Sequence, residues 1–233
     1  MSTLIKVVIS FVISLFLVSC NLNFGGGVKG NGNVITEQRG ADETIESVKA
    51  TEGLDVFVTQ SESTSIKVEA DENVIDLIET SVSNGTLKIS CKEPIGRVSS
   101  KKVYVSLPKI VSLESSSGAD MSTMGTIEAN EISLDASSGS DIEAELQATS
   151  VTLKASSGAE IEVYGVTETL KANASSGADI NAHRLKAKIV KADASSGADI
   201  EVNAANEIAI HKSSGGEVSY NGSPKIVENV KID

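Results

Sequence analysis

Aromatic side chains are nearly missing from this chain. Its 233 residues include no Trp, three Tyr and four Phe. Phe11, Phe16 and Phe24 fall near the amino terminus, which leaves Phe57, Tyr104, Tyr164 and Tyr220 for the rest. Strong carbohydrate sites and protein hot spots lean on aromatic faces, so the composition weighs against a carbohydrate platform. Histidine is almost absent as well. His183 and His211 are the only two, each with outward strand parity, and no Cys stands near them at a metal-ligand spacing. No Gly-x-Ser-x-Gly elbow occurs, which removes the usual serine-hydrolase nucleophile. Positive charge is also scarce, at 20 Lys and Arg against 32 Asp and Glu. An acidic chain disfavours nucleic acid and anionic membrane surfaces as partners.

The first residues form a leader. Lys6 follows a short polar start, an apolar run extends from Val7 to Val18, and the run closes in Leu17-Val18-Ser19-Cys20. The run is too short for a comfortable membrane span and has the layout of an export signal. Its end resembles the lipobox of bacterial lipoproteins. That resemblance implies cleavage before Cys20 and a diacylglycerol thioether on its sulfur. An ordinary secretory signal with a chance cysteine, or an uncleaved anchor, are the alternatives. With Cys20 acylated, Cys91 is the one remaining thiol, no intrachain disulfide can form, and the core must hold an exported protein by itself. Cys91 shares the parity of Leu87 and Ile89 in TLKISC and reads as a small buried hydrophobe. Without Lys6, 19 basic residues face 32 acidic ones, a net charge of −13. The chain divides into a signal over 1–19, a flexible Gly/Asn tether over 20–33 and a single body over 34–233.

One phrase organises the body. SSGAD or a close variant recurs with glycines at 118, 139, 158, 177, 197 and 215, in steps of 21, 19, 19, 20 and 18 residues. A period near twenty is the signature of stacked repeats, because such a unit buries its apolar face only against copies of itself. The regular copies span 113–218. Apolar and polar residues alternate through each copy, as at Val151, Leu153, Ala155, Ser157, Ala159, Ile161 and Val163 on one parity. The expected fold is all-β: a right-handed parallel β-helix or solenoid of about twenty residues per coil, with a less regular N-terminal part. Ile142, Ile161, Ile180, Ile200 and Val218 should form an inward ladder, and Leu134, Leu153, Leu170, Val190 and Ile208 a second. Parity places the second serine of each phrase inward, with Ser138, Ser157, Ser176, Ser196 and Ser214 bonding to each other at a corner.

Earlier segments read as degenerate copies. Val48–Val56 parallels the repeat around Gly53, and the 65 residues from Gly53 to Gly118 suggest three more coils, for roughly eight in all. Asn84-Gly85 between two alternating runs signals a hairpin. Asp71–Glu79 has the pattern of a short helix with Asp71 as its N-cap.

The order of GNGN, DVFVTQ, EADENVIDLIET, NGTLKI, VYVSLP, the serial SSGAD copies and a closing YNGSPK resembles the head GIN domain family of auto-transporter adhesins. The likeness covers Gly30 to Asp233, although family members carry S-G-S-G-D where this chain has S-S-G-A-D. The resemblance implies a β-solenoid in the cell envelope and supplies no catalytic residues.

The most suggestive chemistry is the acid that closes each phrase. Asp120, Asp141, Glu160, Asp179, Asp199 and Glu217 should share one outward face, with Glu143, Glu162 and Glu201 two residues further on. Carboxylates stacked ~4.8 Å apart repel by roughly 0.9 kcal/mol per neighbouring pair in water. Calcium could offset that, but calcium-binding nonapeptide repeats recur every nine residues, and a solvated acidic coat needs no cofactor. The sequence therefore points to a non-enzymatic, lipid-anchored envelope protein that binds a protein or glycan partner as an adhesin or scaffold. No metal or cofactor is expected, and the membrane is reached through the lipid. A structural component of the envelope is the alternative, with a polysaccharide-acting β-helix enzyme behind it. Outer-membrane attachment is expected, and whether the body faces periplasm or exterior stays open.

Overall fold

A computed structural model describes residues 26–41 and 43–228. The expected signal over 1–19 and Cys20 lie outside the described residues. In chain order the strands are β1 (Val34–Arg39), β2 (Ser47–Ala50), β3 (Asp55–Gln60), β4 (Ser65–Asp71), β5 (Ile78–Ser83), β6 (Thr86–Cys91), β7 (Lys101–Leu107) and β8 (Ser112–Ser116). There follow β9 (Asp120–Ser137), β10 (Asp141–Ser156), β11 (Glu160–Ser175), β12 (Asp179–Ser195), β13 (Asp199–Ser213), β14 (Glu217–Asn221) and β15 (Lys225–Glu228). They form a β-solenoid of about 6 turns with roughly 19 residues per coil.

Each regular coil is one long strand folded into two walls. In β10, Ile142, Ala144 and Leu146 are buried in the first wall, and Val151, Leu153 and Ala155 in the second. The inward parity changes between them, at a bend over Gln147–Ser150. That parity change aims both apolar sides at one interior. Neighbouring coils pair in parallel, and outside register shifts at Glu143–Glu145, Glu162–Tyr164 and Ala182–Ile189 each side chain stacks on its counterpart.

The first expected ladder exists as Met121, Ile142, Ile161, Ile180, Ile200 and Val218. The second does not exist as one row. Ile132, Val151, Leu170, Val190, Ile208 and Ile226 form one ladder. Leu113, Leu134, Leu153, Ala172, Ala192 and Ile210 form another, two residues along. The inward leucine moves from one row to the other between coils, and spacing alone merges the two.

The corner of each coil also corrects the parity reading. Ser117, Ser138, Ser157, Ser176, Ser196 and Ser214 have φ between 49° and 57°, and the glycine after each is positive as well. Two successive left-handed residues make a tight turn of the hairpin kind, for which glycine is the natural second residue. The serine therefore stands outside, exposed, while the alanines at 155 and 159 both point inward. The hydroxyl network expected there is found elsewhere. Ser90, Ser100, Ser115 and Ser140 are the buried serines among the described residues; of the two beside corners, the Ser115 hydroxyl donates to the Ala119 carbonyl at 2.7 Å and the Ser140 hydroxyl to the Ser115 carbonyl at 2.8 Å.

The N-terminal part differs from the expected run of degenerate coils. In the first wall β3 lies between β7 and β9, and in the second β2 lies between β6 and β8. Gly53 thus stacks directly on the first regular corner, its N–H donating to the Ser117 carbonyl at 3.1 Å. Only β6 and β7 add a further layer, on the far side of β2 and β3. The residues between are spent on antiparallel strands: β5 on β6, β4 on β7 and β1 on β4. Antiparallel pairing needs only short connections, so this stretch builds a cap in place of three coils. The Asn84-Gly85 hairpin is present, both residues at positive φ.

Two further expectations change. Only Ile75–Leu77 is helical, as a single 3-10 turn without a side-chain cap. Asp71 does other work. Its buried carboxylate accepts the backbone N–H groups of Gly32 at 2.8 Å, Ser99 at 2.9 Å and Ser100 at 3.0 Å. Residues 28–33 are consequently a strap and not free tether. Val28 N–H donates to the Pro94 carbonyl, and Gly30 N–H to that of Arg97.

Candidate functional site

The outward acids stand in one line. Asp55, Asp120, Asp141, Glu160, Asp179, Asp199 and Glu217 are consecutive register partners along the first wall. All six acids expected on this face are brought together, and Asp55 extends the row by one rung. Asp55 could have been found in sequence, because Gly53-Leu54-Asp55 is the Gly-Ala-Asp of the phrase with a leucine for the alanine. Lys102 closes the row beyond Asp55.

The row is built by the corner. Two left-handed residues reverse the chain, Ala or Ser140 returns inward, and the next residue must point out with its N–H bonded to the previous coil. Asp141 N–H donates to the Ala119 carbonyl and Glu160 N–H to that of Ser140. Burial is the main influence pushing the Asp120 carboxyl above its ordinary range, aided by Asp141 and Asp55 and opposed by Lys101. Glu160 is raised for the same reason, burial first and then Asp141, Asp179 and Glu162. Like charges one strand apart favour protonation.

A second row runs beside the first through Phe57, Ser122, Glu143, Glu162, Asn181 and Glu201. Between the rows lies an open groove of 480 Å³. At its N-terminal end Phe57 stacks on Tyr104 with ring centroids 5.2 Å apart, and the Lys67 ammonium sits 4.2 Å from the Tyr104 ring. Two of the four body aromatics therefore meet beside the acids. The signal was readable, since both occupy outward positions in DVFV and KVYV. Further along, Arg184 pairs with Glu162 at 2.5 Å and covers the Tyr164 ring at 4.8 Å. Among the described residues no three Asp, Glu, His or Cys groups are arranged to hold a metal ion.

A larger concavity lies where the long strands bend, an open trough of 1320 Å³. Its floor is the small-residue row Ala129, Ala148, Thr167 and Ala187. Charges of both signs rim it, with Lys188 pairing to Glu168 at 2.6 Å. Sequence parity gave no hint of this trough, because the alternation is broken at the bend.

Cys91 is half-buried and a free thiol. Burial, then the Glu52 carboxylate, pushes it up to about 11 against the influence of Lys101, which leaves it unreactive near neutrality. His183 and His211 sit half-exposed on different coils. His183 bonds Asn181 through its Nδ1.

A parallel β-solenoid with a carboxylate row on one flank and an antiparallel cap at one end defines the class. The chain belongs to the putative auto-transporter adhesin, head GIN domain family, whose model matches residues 45–224. Solved structures share the fold. A putative adhesin from Bacteroides fragilis NCTC 9343 is 16% identical with a TM-score of 0.74, covering 88% of this chain and 100% of that one. A putative adhesin from Parabacteroides merdae ATCC 43184 is 16% identical with a TM-score of 0.72, covering 87% and 95%. A putative lipid binding protein from Parabacteroides distasonis ATCC 8503 is 20% identical with a TM-score of 0.69, covering 86% and 94%. No curated protein matches the chain.

Proposed function

We propose that this protein is a non-enzymatic adhesin of the cell envelope, anchored by a lipid on Cys20, whose solenoid flank binds a protein or glycan partner. The observation that carries the reading is the in-register carboxylate row from Asp55 to Glu217. A row repeated at strand spacing offers an extended partner the same contact many times over. Weak contacts then add up without any deep pocket. Both concavities are open and shallow, which suits a surface that docks macromolecules more than one that encloses a small substrate. Family membership supports the adhesin class.

The strap supports the anchor. It starts at Val28, eight residues after Cys20, so a lipid on Cys20 would tether the protein by its capped end. Proteinase shaving of intact cells tests the reading, together with adhesion of a deletion strain carrying either the wild-type gene or Cys20→Ala. Removal by the proteinase, with adhesion restored by wild type alone, is the expected result. Full protection from the proteinase would overturn surface adhesion.

A further inference from the structure

The two ends of the solenoid are finished differently. At the N-terminal end antiparallel strands and the strap of residues 28–33 close the stack. At the other end β14 and β15 each pair with β13 on one side only, and among the described residues no strand lies beyond them. Among the described residues they are the last rungs of the core ladders, and no described strand covers them. Val202 is fully buried, yet Tyr220, one coil later in the same row, is 38% exposed. Ile208 is fully buried, and Ile226, next in its row, is 44% exposed.

The open edge has a definite hydrogen-bonding pattern. Glu217 N–H donates to the Ala198 carbonyl, so Glu217, Ser219 and Asn221 direct their backbone groups toward β13. In a parallel pair alternate residues face opposite sides, so the N–H and C=O of Val218 and Tyr220 face outward. Such an edge is a template for another strand unless charge, proline or a covering element blocks it. In β14 the only charged side chain is Glu217.

We propose that this edge docks a second copy of the same chain, with β14 antiparallel to β14 of its partner about a twofold axis through Ser219. The sequence EVSYN fits itself in that register. Val218 faces Tyr220 of the second copy as a hydrogen-bonded pair, made twice by symmetry. These are the two residues whose backbone groups point outward. Their side chains lie on the core side, so the contact continues the aliphatic ladder across the joint and covers Tyr220. Glu217 faces Asn221 of the other copy, which avoids a like-charge pair. An isologous contact of this kind closes at two copies.

The proposal names a partner for the adhesin reading and rests on that reading only for where the two copies stand. A lipid on Cys20 would join the chain eight residues before the strap, and the β14 edge lies nine strand spacings from β1, about 43 Å at ~4.8 Å each. Joining two β14 edges puts the two anchors at opposite ends of the pair. Copies on facing surfaces would meet in this way, making the contact homophilic.

The test uses full-length protein purified from membranes, with Ser219→Cys on a Cys91→Ser background. At a non-hydrogen-bonded antiparallel pair the two Cα atoms are about 4.5 Å apart, within disulfide range. Mild oxidation should link Ser219→Cys into a covalent pair at least tenfold more than Ser81→Cys on the β5 edge at the capped end. Tyr220→Pro, added to Ser219→Cys, removes an outward N–H that makes no bond within the chain, and should cut linkage about tenfold with an unchanged melting temperature. A Ser219→Cys protein that stays monomeric overturns the proposal. So does linkage that appears only after residues 229–233 are deleted, since the chain's own end would then occupy the edge. Two populations of vesicles carrying the protein should also cluster, and lose clustering with Tyr220→Pro. Linkage in detergent without vesicle clustering upholds the β14 contact and removes adhesion between facing surfaces.

Discussion

The regular repeats and the N-terminal cap are built from the same kind of strand, yet they hold together differently. In the repeats a residue's surroundings are a translated copy of itself. Asp141 lies between Asp120 and Glu160, Ile161 between Ile142 and Ile180, and Gly118, Gly139, Gly158 and Gly177 each donate to the serine carbonyl of the next corner. In the cap every important contact is made once. Asp71 receives three N–H groups from two distant segments, and the strap threads past Pro94 and Arg97 with no equivalent elsewhere. Repetition makes the first region tolerant at its corners and exacting where adjacent coils approach closely. Uniqueness makes the second depend on a few buried groups.

The sharpest break in the repeat region should come from Gly165→Ala. Gly165 has φ of 121°, and a Cβ there would lie 2.0 Å from the Leu146 carbonyl oxygen, a backbone atom of the adjacent coil. Overpacking added to strained dihedrals should cost about 3–4 kcal/mol in denaturant unfolding. A loss below about 1 kcal/mol would mean that the coils slide easily.

Asp71→Asn should come next and act on the cap alone. Burial raises the Asp71 carboxyl, but the N–H groups of Gly32, Ser100 and Ser99 outweigh it and hold it below its ordinary range. A depressed folded value stabilises the cap above the unfolded carboxylate range, and that contribution is lost as pH falls through the folded value. Hydrogen exchange at Gly32, Ser99 and Ser100 should accelerate in the variant at neutral pH, and in wild type only in acid. Exchange in β10–β12 should not change.

Gly158→Ala at a corner should cost only about 1 kcal/mol. Its φ is +71° and no atom lies within 4 Å of the added Cβ, so the penalty is backbone strain alone. Comparison with Gly165→Ala separates dihedral strain from coil contact within one region.

The smallest effect should follow from thinning the carboxylate row. Asp120 and Glu160 are raised in the folded chain, so the fold binds protons there before the unfolded chain does, and stability falls as pH rises through the folded values. Asp120→Asn with Glu160→Gln should stabilise by less than about 1 kcal/mol at neutral pH, and high salt should remove only the part of the gain that comes from like-charge repulsion. Melts with calcium and with chelator report whether cations serve the row. A shift of several degrees that the double variant loses would assign them a role.

The sequence determined the repeat, its period, the inward isoleucine ladder and the outward acids, because alternation with period two decides which side of a parallel coil a residue takes. It also carried the Asn84-Gly85 turn and the likeness to the family. Tertiary structure alone decided three matters. The corner serines stand outside, because two left-handed residues interrupt an alternation that the letters continue unbroken. Gly53 lies next to Gly118 despite a separation of 65 positions, because antiparallel strands can leave the stack and return. Asp71 pins the strap because its three donors arrive from segments 28 residues or more away, and no local pattern of letters encodes a partner at that range.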